Sequence, residues 1–164
     1  MSADSLLKAI EDTGLAGQIR ESGLMFPLIE TAHVMAITLV VGSIAIVDLR
    51  LLGVTSKRKP VTELTREVLP WTWGLFAIAA MTGGLMFISK ATAYFVNWPF
   101  RLKMLCLLLA GINMAIFHLF TYRSIQVWDQ DRPTLVGAKV AGLLSLLFWI
   151  GVVTFGRWIG FTVR

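Results

Sequence analysis

The stretch LPWTWGLFAIAAMTGGLMFIS, residues 69–89, decides the fold, because these 21 residues contain no charged side chain. A helix of about 20 apolar residues crosses the hydrocarbon core of a bilayer. Three further apolar runs have a similar length, so the predicted spans are 27–54, 69–89, 102–123 and 138–161. Backbone polar groups in lipid must bond within their own segment, which favours helices. The sequence therefore predicts an all-α fold, a four-helix transmembrane bundle.

The composition also indicates lipid rather than water as the solvent. The chain has 164 residues, of which 56% are hydrophobic and 15% charged, whereas a soluble domain averages about 25% charged residues. The net charge is +5, and the cations lie beside the apolar runs. We therefore expect anionic membrane lipid as the partner of these cations, and no nucleic acid.

The sequence predicts two parts, an N-terminal segment at residues 1–25 and a membrane domain at residues 26–164. Acidic residues interrupt the apolar runs of the N-terminal segment. This pattern excludes a cleaved signal peptide. Its apolar residues fit one face of a helix, and Gly14 and Gly17 are expected to divide that helix into two. The sequence predicts an N-terminal amphipathic helix that lies in the membrane interface.

The basic cluster SKRKP, residues 56–60, follows the first span directly. Cytoplasmic loops carry an excess of Lys and Arg. We therefore expect a multi-pass protein of the bacterial inner membrane, with this loop in the cytoplasm and both termini on the periplasmic side.

Ionisable residues inside membrane spans are costly and often functional. The chain has two histidines, His33 and His118, and both fall within predicted spans. Neutral imidazole is a common ligand of metals and of haem iron, and helical bundles often house such cofactors. His33 and His118 are thus candidate metal ligands. The alternative is that each histidine only hydrogen-bonds a neighbouring helix.

The two histidines lie at different depths. At about 1.5 Å rise per residue, each is roughly 10 Å from the membrane midplane, on opposite sides. One haem cannot easily bind both in a monomer. Three arrangements remain: two sites with second ligands such as Met86 or Met114, one site with the other histidine structural, or a homodimer that pairs equivalent histidines across its two-fold axis.

Three cations share the predicted depth of His33: Arg101, Lys103 and Arg157. Such residues suit the propionates of haem, and arginine can bind a carboxylate through two hydrogen bonds. Arg101 and Lys103 could instead extend to lipid headgroups, and Arg157 could pair with Glu30. Glu30 also lies one helical turn before His33, where it could orient the imidazole. The candidate cofactor-binding residues are Glu30, His33, Arg101, Lys103, His118 and Arg157.

At the opposite end of the first span, Asp48 and Arg50 are expected to form ion pairs that fix this helix end.

Two segments carry a family resemblance: FPLIETAHVMAITLVVGSIAIVDLRLLG at 26–53 and NWPFRLKMLCLLLAGINMAIFH at 97–118. The chain resembles an uncharacterised family of small bacterial inner-membrane proteins, which implies a fold and a compartment but no reaction. More remotely, the positions of His33, Lys103 and His118 are similar to those of the copper-resistance protein D and HemJ-type protoporphyrinogen oxidase families. The HemJ-type resemblance implies haem b, and the other implies copper.

The leading hypothesis is a haem b-binding membrane protein that transfers electrons, with quinone and a periplasmic redox protein as possible partners. It would then be a component of a membrane oxidoreductase, or a subunit of a larger complex. One alternative is a copper-handling membrane protein, and another is a structural membrane subunit without a cofactor. The sequence contains no nucleotide-binding glycine loop and no nucleophile triad, so no catalytic residue is proposed.

Overall fold

The structure is a computed structural model that describes residues 3–55, 59–122, 125, 129 and 134–163. Throughout these residues the regular structure is helical. In chain order the helices are α1 (Ala3–Glu11), α2 (Gly14–Glu21), α3 (Met25–Leu51), α4 (Val61–Ser89), α5 (Ala91–Val96), α6 (Trp98–Ile116) and α7 (Val136–Thr162), and α6 continues into a π-helical segment, Phe117–Thr121.

Four segments are long and apolar enough to cross a membrane: Met25–Leu51, Val61–Ser89, Trp98–Thr121 and Val136–Thr162. The predicted all-helical fold is therefore confirmed, with four helices suited by length and composition to membrane spanning. Helix α4, the second of these segments, begins at Val61, eight residues before the start of the predicted span. The polar sequence VTELTREV continues the same helix toward its N-terminus. Residues 56–58 of the basic cluster lie outside the described residues.

The N-terminal segment forms two helices, as expected, and the break lies at residues 12–13, directly before Gly14, whereas Gly17 lies within α2. The Thr13 hydroxyl accepts a hydrogen bond from Ala16 N at 3.4 Å and so caps α2. Both helices are attached to the junction between α4 and α5. Glu11 accepts hydrogen bonds from the backbone N and the hydroxyl of Thr92, and Arg20 donates to the carbonyl of Ser89.

The spans form a bundle in which α7 packs against both α3 and α6, while α3 also packs against α4. One core cluster contains Val40, Ala110, Trp149 and Val152. Glycines allow close approach: a Cβ at Gly142 would lie 3.1 Å from the Asp48 carbonyl oxygen. Small residues permit this kind of contact between membrane helices.

The polar residues at the far end of α3 differ from the expectation. Arg50 donates hydrogen bonds to the carbonyls of Lys59, at 2.8 Å, and Asp129, at 3.4 Å. The hydroxyl of Ser145 bonds Asp48, whose Oδ2 has no partner among the described residues. Within those residues neither Asp48 nor Arg50 forms an ion pair, and the bridges join Lys59 to two exposed glutamates. Hydrogen bonds to backbone and hydroxyl groups therefore fix this helix end.

Candidate functional site

A cavity of about 370 Å³ lies between the four spans, where α3 and α6 begin and α4 and α7 end. This volume falls within the usual range of small-molecule sites. Four of the six predicted cofactor-binding residues line it: Glu30, His33, Lys103 and Arg157. The cavity thus joins residues from α3, α6 and α7 that are up to 127 positions apart in the chain.

The imidazole of His33 is fixed by α4. Its Nδ1 lies 2.9 Å from the carbonyl oxygen of Ala79 and 3.0 Å from the hydroxyl of Thr82. A carbonyl oxygen can only accept, so Nδ1 carries the proton and donates it. The Thr82 hydroxyl donates to the Ile78 carbonyl and is free to accept from the same N–H. The lone pair of Nε2 is therefore available on the other edge of the ring.

A glycine makes room for this ring. A Cβ at Gly83 would lie 3.0 Å from His33 Cε1 and 3.4 Å from Nδ1, closer than ordinary packing allows. The three α4 residues Ala79, Thr82 and Gly83 thus form a cradle, which we call the α4 cradle. Two of them hydrogen-bond the imidazole, and the third lets the ring approach the helix backbone.

Lys103 lies at the Nε2 edge of His33. Its Nζ lies 3.4 Å from His33 Nε2, which is a long donor–acceptor distance. The side chain lies along α7 at a second glycine, because a Cβ at Gly156 would be 3.7 Å from Cδ, Cε and Nζ of Lys103. Two glycines on different helices therefore flank the His33–Lys103 pair.

The remaining cavity residues supply mixed charge. Lys90 joins Lys103 and Arg157 as a cation of the lining, and Glu30 is an acid there. The guanidinium of Arg157 lies 5.4 Å from the Phe161 ring centroid. Burial, and secondarily the negative charge of Glu30, raise the pKa of Tyr94, which lies in the short helix between two spans.

Two alternatives for Glu30 receive no support from the described contacts. No ion pair joins Glu30 to Arg157 among the described residues. The orienting partners of His33 are Ala79 and Thr82 rather than Glu30. Glu30 is exposed and lines the cavity near Tyr94.

His118 lies away from this cavity. It is exposed in the π-helical segment, its Nδ1 is 2.9 Å from the carbonyl oxygen of Met114, and its ring stacks on Tyr122. Gly111 and Ala115, predicted to share its face, are also exposed, and a Cβ at Gly111 would have no neighbour within 4 Å. This helix face therefore points away from the bundle.

Arg101 also lies outside the cavity lining. It is exposed, donates a hydrogen bond to the carbonyl of Phe95 at 2.9 Å, and places its guanidinium over the same residue's ring. These contacts hold the Arg101 side chain against α5, away from the cavity lining, and its extension to lipid headgroups stays a prediction.

Sequence reasoning missed the α4 cradle, and it missed Lys90 and Tyr94. The adjacent pair Gly83–Gly84 is the one local signal in this span, and it does not reveal which residue approaches it. The described residues contain no group of three His, Cys, Asp or Glu side chains that could hold a metal ion. A site at His33 would therefore depend on one imidazole and other donor types.

The fold and the cavity define an all-helical protein with four helices suited to membrane spanning and a polar cavity between them. The chain belongs to the family of unknown function DUF6644, which it matches over residues 11–162. The predicted membership of an uncharacterised family is thus confirmed. No curated protein and no solved structure matches the chain, and the remoter resemblance to two haem and copper families stays a prediction.

Proposed function

We propose that this protein binds haem b through His33 and transfers electrons in the bacterial inner membrane. One observation carries the proposal: His33 donates Nδ1–H to the Ala79 carbonyl, so the Nε2 lone pair faces the cavity, where Lys103 Nζ lies 3.4 Å from it. Metal-ligating histidines characteristically donate their other ring N–H to a backbone carbonyl or carboxylate, which fixes the ring and raises its basicity.

The cavity residues fit such a group in two further respects. The absent Cβ of Gly83 lets the imidazole lie against α4, which holds the ring in one orientation. Lys90, Lys103 and Arg157 line the same space, so a ligand with two carboxylates meets opposite charge. Arg157 offers the planar fork that binds a carboxylate through two hydrogen bonds.

Bound haem would supply one-electron chemistry, and the protein would supply binding, orientation and electrostatics. His33 would hold the iron, Ala79 and Thr82 would orient His33, and the cations would hold the propionates. Apolar wall residues such as Ile37 and Val152 limit water at the site. Quinone in the membrane and a periplasmic redox protein are the proposed partners.

The proposed topology places the cavity on the periplasmic side, with both termini. In that arrangement α1 and α2 lie in the membrane interface beside the cavity, because Glu11 and Arg20 attach them to the α4–α5 junction. Their exposed Leu6 and Leu15 would contact lipid. His118, on an outward face in the other leaflet, is not part of this haem site.

The absorption spectrum of protein purified in detergent from haem-replete cells tests the proposal. We expect a Soret band that is lost in His33→Ala and kept in His118→Ala, the matched control from the same bundle. Colourless wild-type protein would overturn the proposal, and so would equal haem content in the His33→Ala variant.

Copper handling is a second candidate, because Met86 and His33 line the same cavity. Thioether and imidazole groups are both copper ligands. Metal analysis after copper loading of the haem-free protein separates the two functions: stoichiometric copper, lost in both His33→Ala and Met86→Ala, would favour copper. A structural subunit without a cofactor would bind neither group, although it would need the same contact between His33 and α4.

A further inference from the structure

We infer that Asp48 is a proton-binding site inside the membrane domain, at the end of the bundle opposite the cavity. Its carboxyl group is protonated in the folded protein at neutral pH and exchanges that proton with solvent. The inference is independent of the haem proposal, because no residue of the cavity lining takes part in it.

The Asp48 side chain is buried between α3 and α7. Its residue is 5% exposed, and a Cβ at Gly142 of α7 would lie 3.1 Å from its carbonyl oxygen and 3.6 Å from its Cα. Leu51, one turn further along α3, is 3% exposed and would lie 3.2 Å from the same Cβ. Two helices in such close contact leave little room for water, so the carboxyl group depends on hydrogen bonds from the protein.

The surroundings of Asp48 supply too few donors for a carboxylate. The Ser145 hydroxyl bonds the carboxyl group, whereas the buried Oδ2 has no partner in the part of the chain that the structure describes. An ionised carboxylate accepts at both oxygens, but a protonated one needs fewer donors, and a serine hydroxyl can both donate and accept. A buried charge without partners is so costly that the group takes up a proton instead.

The nearest cation in the sequence does not neutralise Asp48. Arg50 follows two residues later and therefore points about 200° away around the helix. Its guanidinium donates to the carbonyls of Lys59 and Asp129. Over the described ranges the ion pairs belong to Lys59, not to Asp48.

The charged groups on the neighbouring helices do not replace Arg50 as a partner. The described ones at this end are all exposed: Glu63, Arg66 and Glu67 on α4, His118 in the π-helical segment, and Lys139 on α7. The half-buried Tyr122 stacks on His118. Arg157, also on α7, lines the cavity at the other end. The bundle thus surrounds Asp48 with apolar groups and one hydroxyl.

A second aspartate at the same end has the opposite environment. Asp129 accepts hydrogen bonds from the backbone N and the hydroxyl of Thr62, in the first turn of α4. A helix N-terminus favours negative charge, whereas Asp48 lies in the last turn of α3, where the partial negative charge of the helix end disfavours it. Asp129 is therefore held as a carboxylate and Asp48 as a neutral acid.

The position of Asp48 also suits exchange of the proton. It lies three residues before the end of α3, so a proton reaches it from the solvent at this end without crossing the bilayer. In the exchange an O–H bond forms at the carboxylate, one negative charge disappears, and no other group changes. Ionisable residues inside membrane helices commonly serve as proton carriers.

Infrared difference spectroscopy on the purified full-length protein in detergent tests the inference. A protonated carboxyl group has a C=O stretching band that a carboxylate lacks, and this band shifts when its proton is exchanged for deuterium. We expect the difference between wild type and Asp48→Asn to show the band of one acid at neutral pH. The band should shift in heavy water and disappear reversibly as the pH is raised. The matched control Asp129→Asn should keep it.

A second variant covers the case in which Asp48→Asn does not fold. Ser145→Ala keeps the acid but removes its hydroxyl partner, so the band should keep its area and change its frequency. An unchanged frequency would assign the band to another acid and overturn the inference. A wild type without the band at neutral pH would overturn it too, and so would a band that neither exchanges its proton nor titrates. These outcomes do not depend on haem content, which tests the proposed function separately.

Discussion

The two histidines of this chain have the same chemistry and both lie in apolar helices, but their surroundings differ. His33 bonds the backbone of another helix, 46 residues away, and faces a cavity with three cations. His118 bonds the carbonyl four residues before it in its own helix and is exposed. A bond within one helix satisfies an imidazole wherever that helix points. A bond between helices fixes the ring relative to the rest of the bundle, which is what a binding site needs.

The glycines near the two histidines repeat this difference. A Cβ at Gly83 would lie only 3.0 Å from Cε1 of the His33 ring. A Cβ at Gly111, two turns before His118, would have no neighbour within 4 Å. One glycine is required by a contact between helices, and the other lies on an open face. Paired substitutions can therefore test whether the packing around His33 is required for ligand binding.

The largest effect is expected from filling the α4 cradle. Gly83→Val places a branched side chain against the imidazole, so the ring must leave its position. We expect the haem content to fall at least about tenfold, because loss of the groups that orient a metal ligand lowers metal affinity by about 10–100-fold. Gly111→Val adds the same volume to the open face. It should leave the haem content unchanged, as measured by the haem-to-protein ratio of the purified variants.

A haem content that falls equally in Gly83→Val and Gly111→Val would show that the damage is general. The cradle would then have no special relation to the cofactor.

A smaller effect is expected from the Thr82 hydroxyl. Thr82→Val removes one of the two acceptors of His33 Nδ1–H but leaves the Ala79 carbonyl. The haem affinity should therefore fall by roughly tenfold, which is the lower end of the range for loss of a group that orients a ligand. Thr38→Val is the control, because Thr38 also lines the cavity but its hydroxyl bonds Val34 in its own helix. Titration of the apoprotein with haemin measures both. Equal affinities for the two variants would contradict the assigned role of Thr82.

Packing between α3 and α7, at the end opposite the cavity, should affect stability and not haem binding. Gly142→Ala puts a methyl group 3.1 Å from the Asp48 carbonyl oxygen and 3.2 Å from Leu51 Cβ. Overpacking of this kind costs about 1–3 kcal/mol. Gly160→Ala, on the same helix with no neighbour within 4 Å, should be neutral or stabilising by up to about 1 kcal/mol. Thermal unfolding in detergent compares them, and equal midpoints would argue against the close α3–α7 contact.

The smallest effect is expected at the N-terminal helices. Glu11→Ala removes the acceptor of the Thr92 backbone N–H and hydroxyl, which should cost about 0.5–2 kcal/mol, as for other helix caps. Asp12→Ala removes an exposed neighbouring acid as a control. We expect faster proteolysis of the N-terminal segment in Glu11→Ala alone. Identical cleavage rates in both variants would show that this contact does not hold the segment.

Much of the fold could be predicted from the sequence, because each membrane helix must satisfy its own backbone and so carries its own signal in about 20 apolar residues. The shared depth of His33, Lys103 and Arg157 followed from counting residues along those helices. The break before Gly14 was predicted, but Gly17 lies within α2, because a single glycine is tolerated inside a helix. The polar contacts of Arg50 could not be predicted, because its partners are backbone carbonyls that any residue supplies.

The sequence by itself determined four helices suited to spanning a membrane, their order, and the small set of ionisable residues inside them. Only the tertiary structure decided that His33 and Lys103 meet between two glycines while His118 faces outward. Hydrophobicity sets how deep a residue lies, but the rotation of each helix about its axis is set by packing against its neighbours. That rotation separates a cavity residue from a lipid-facing one of the same type.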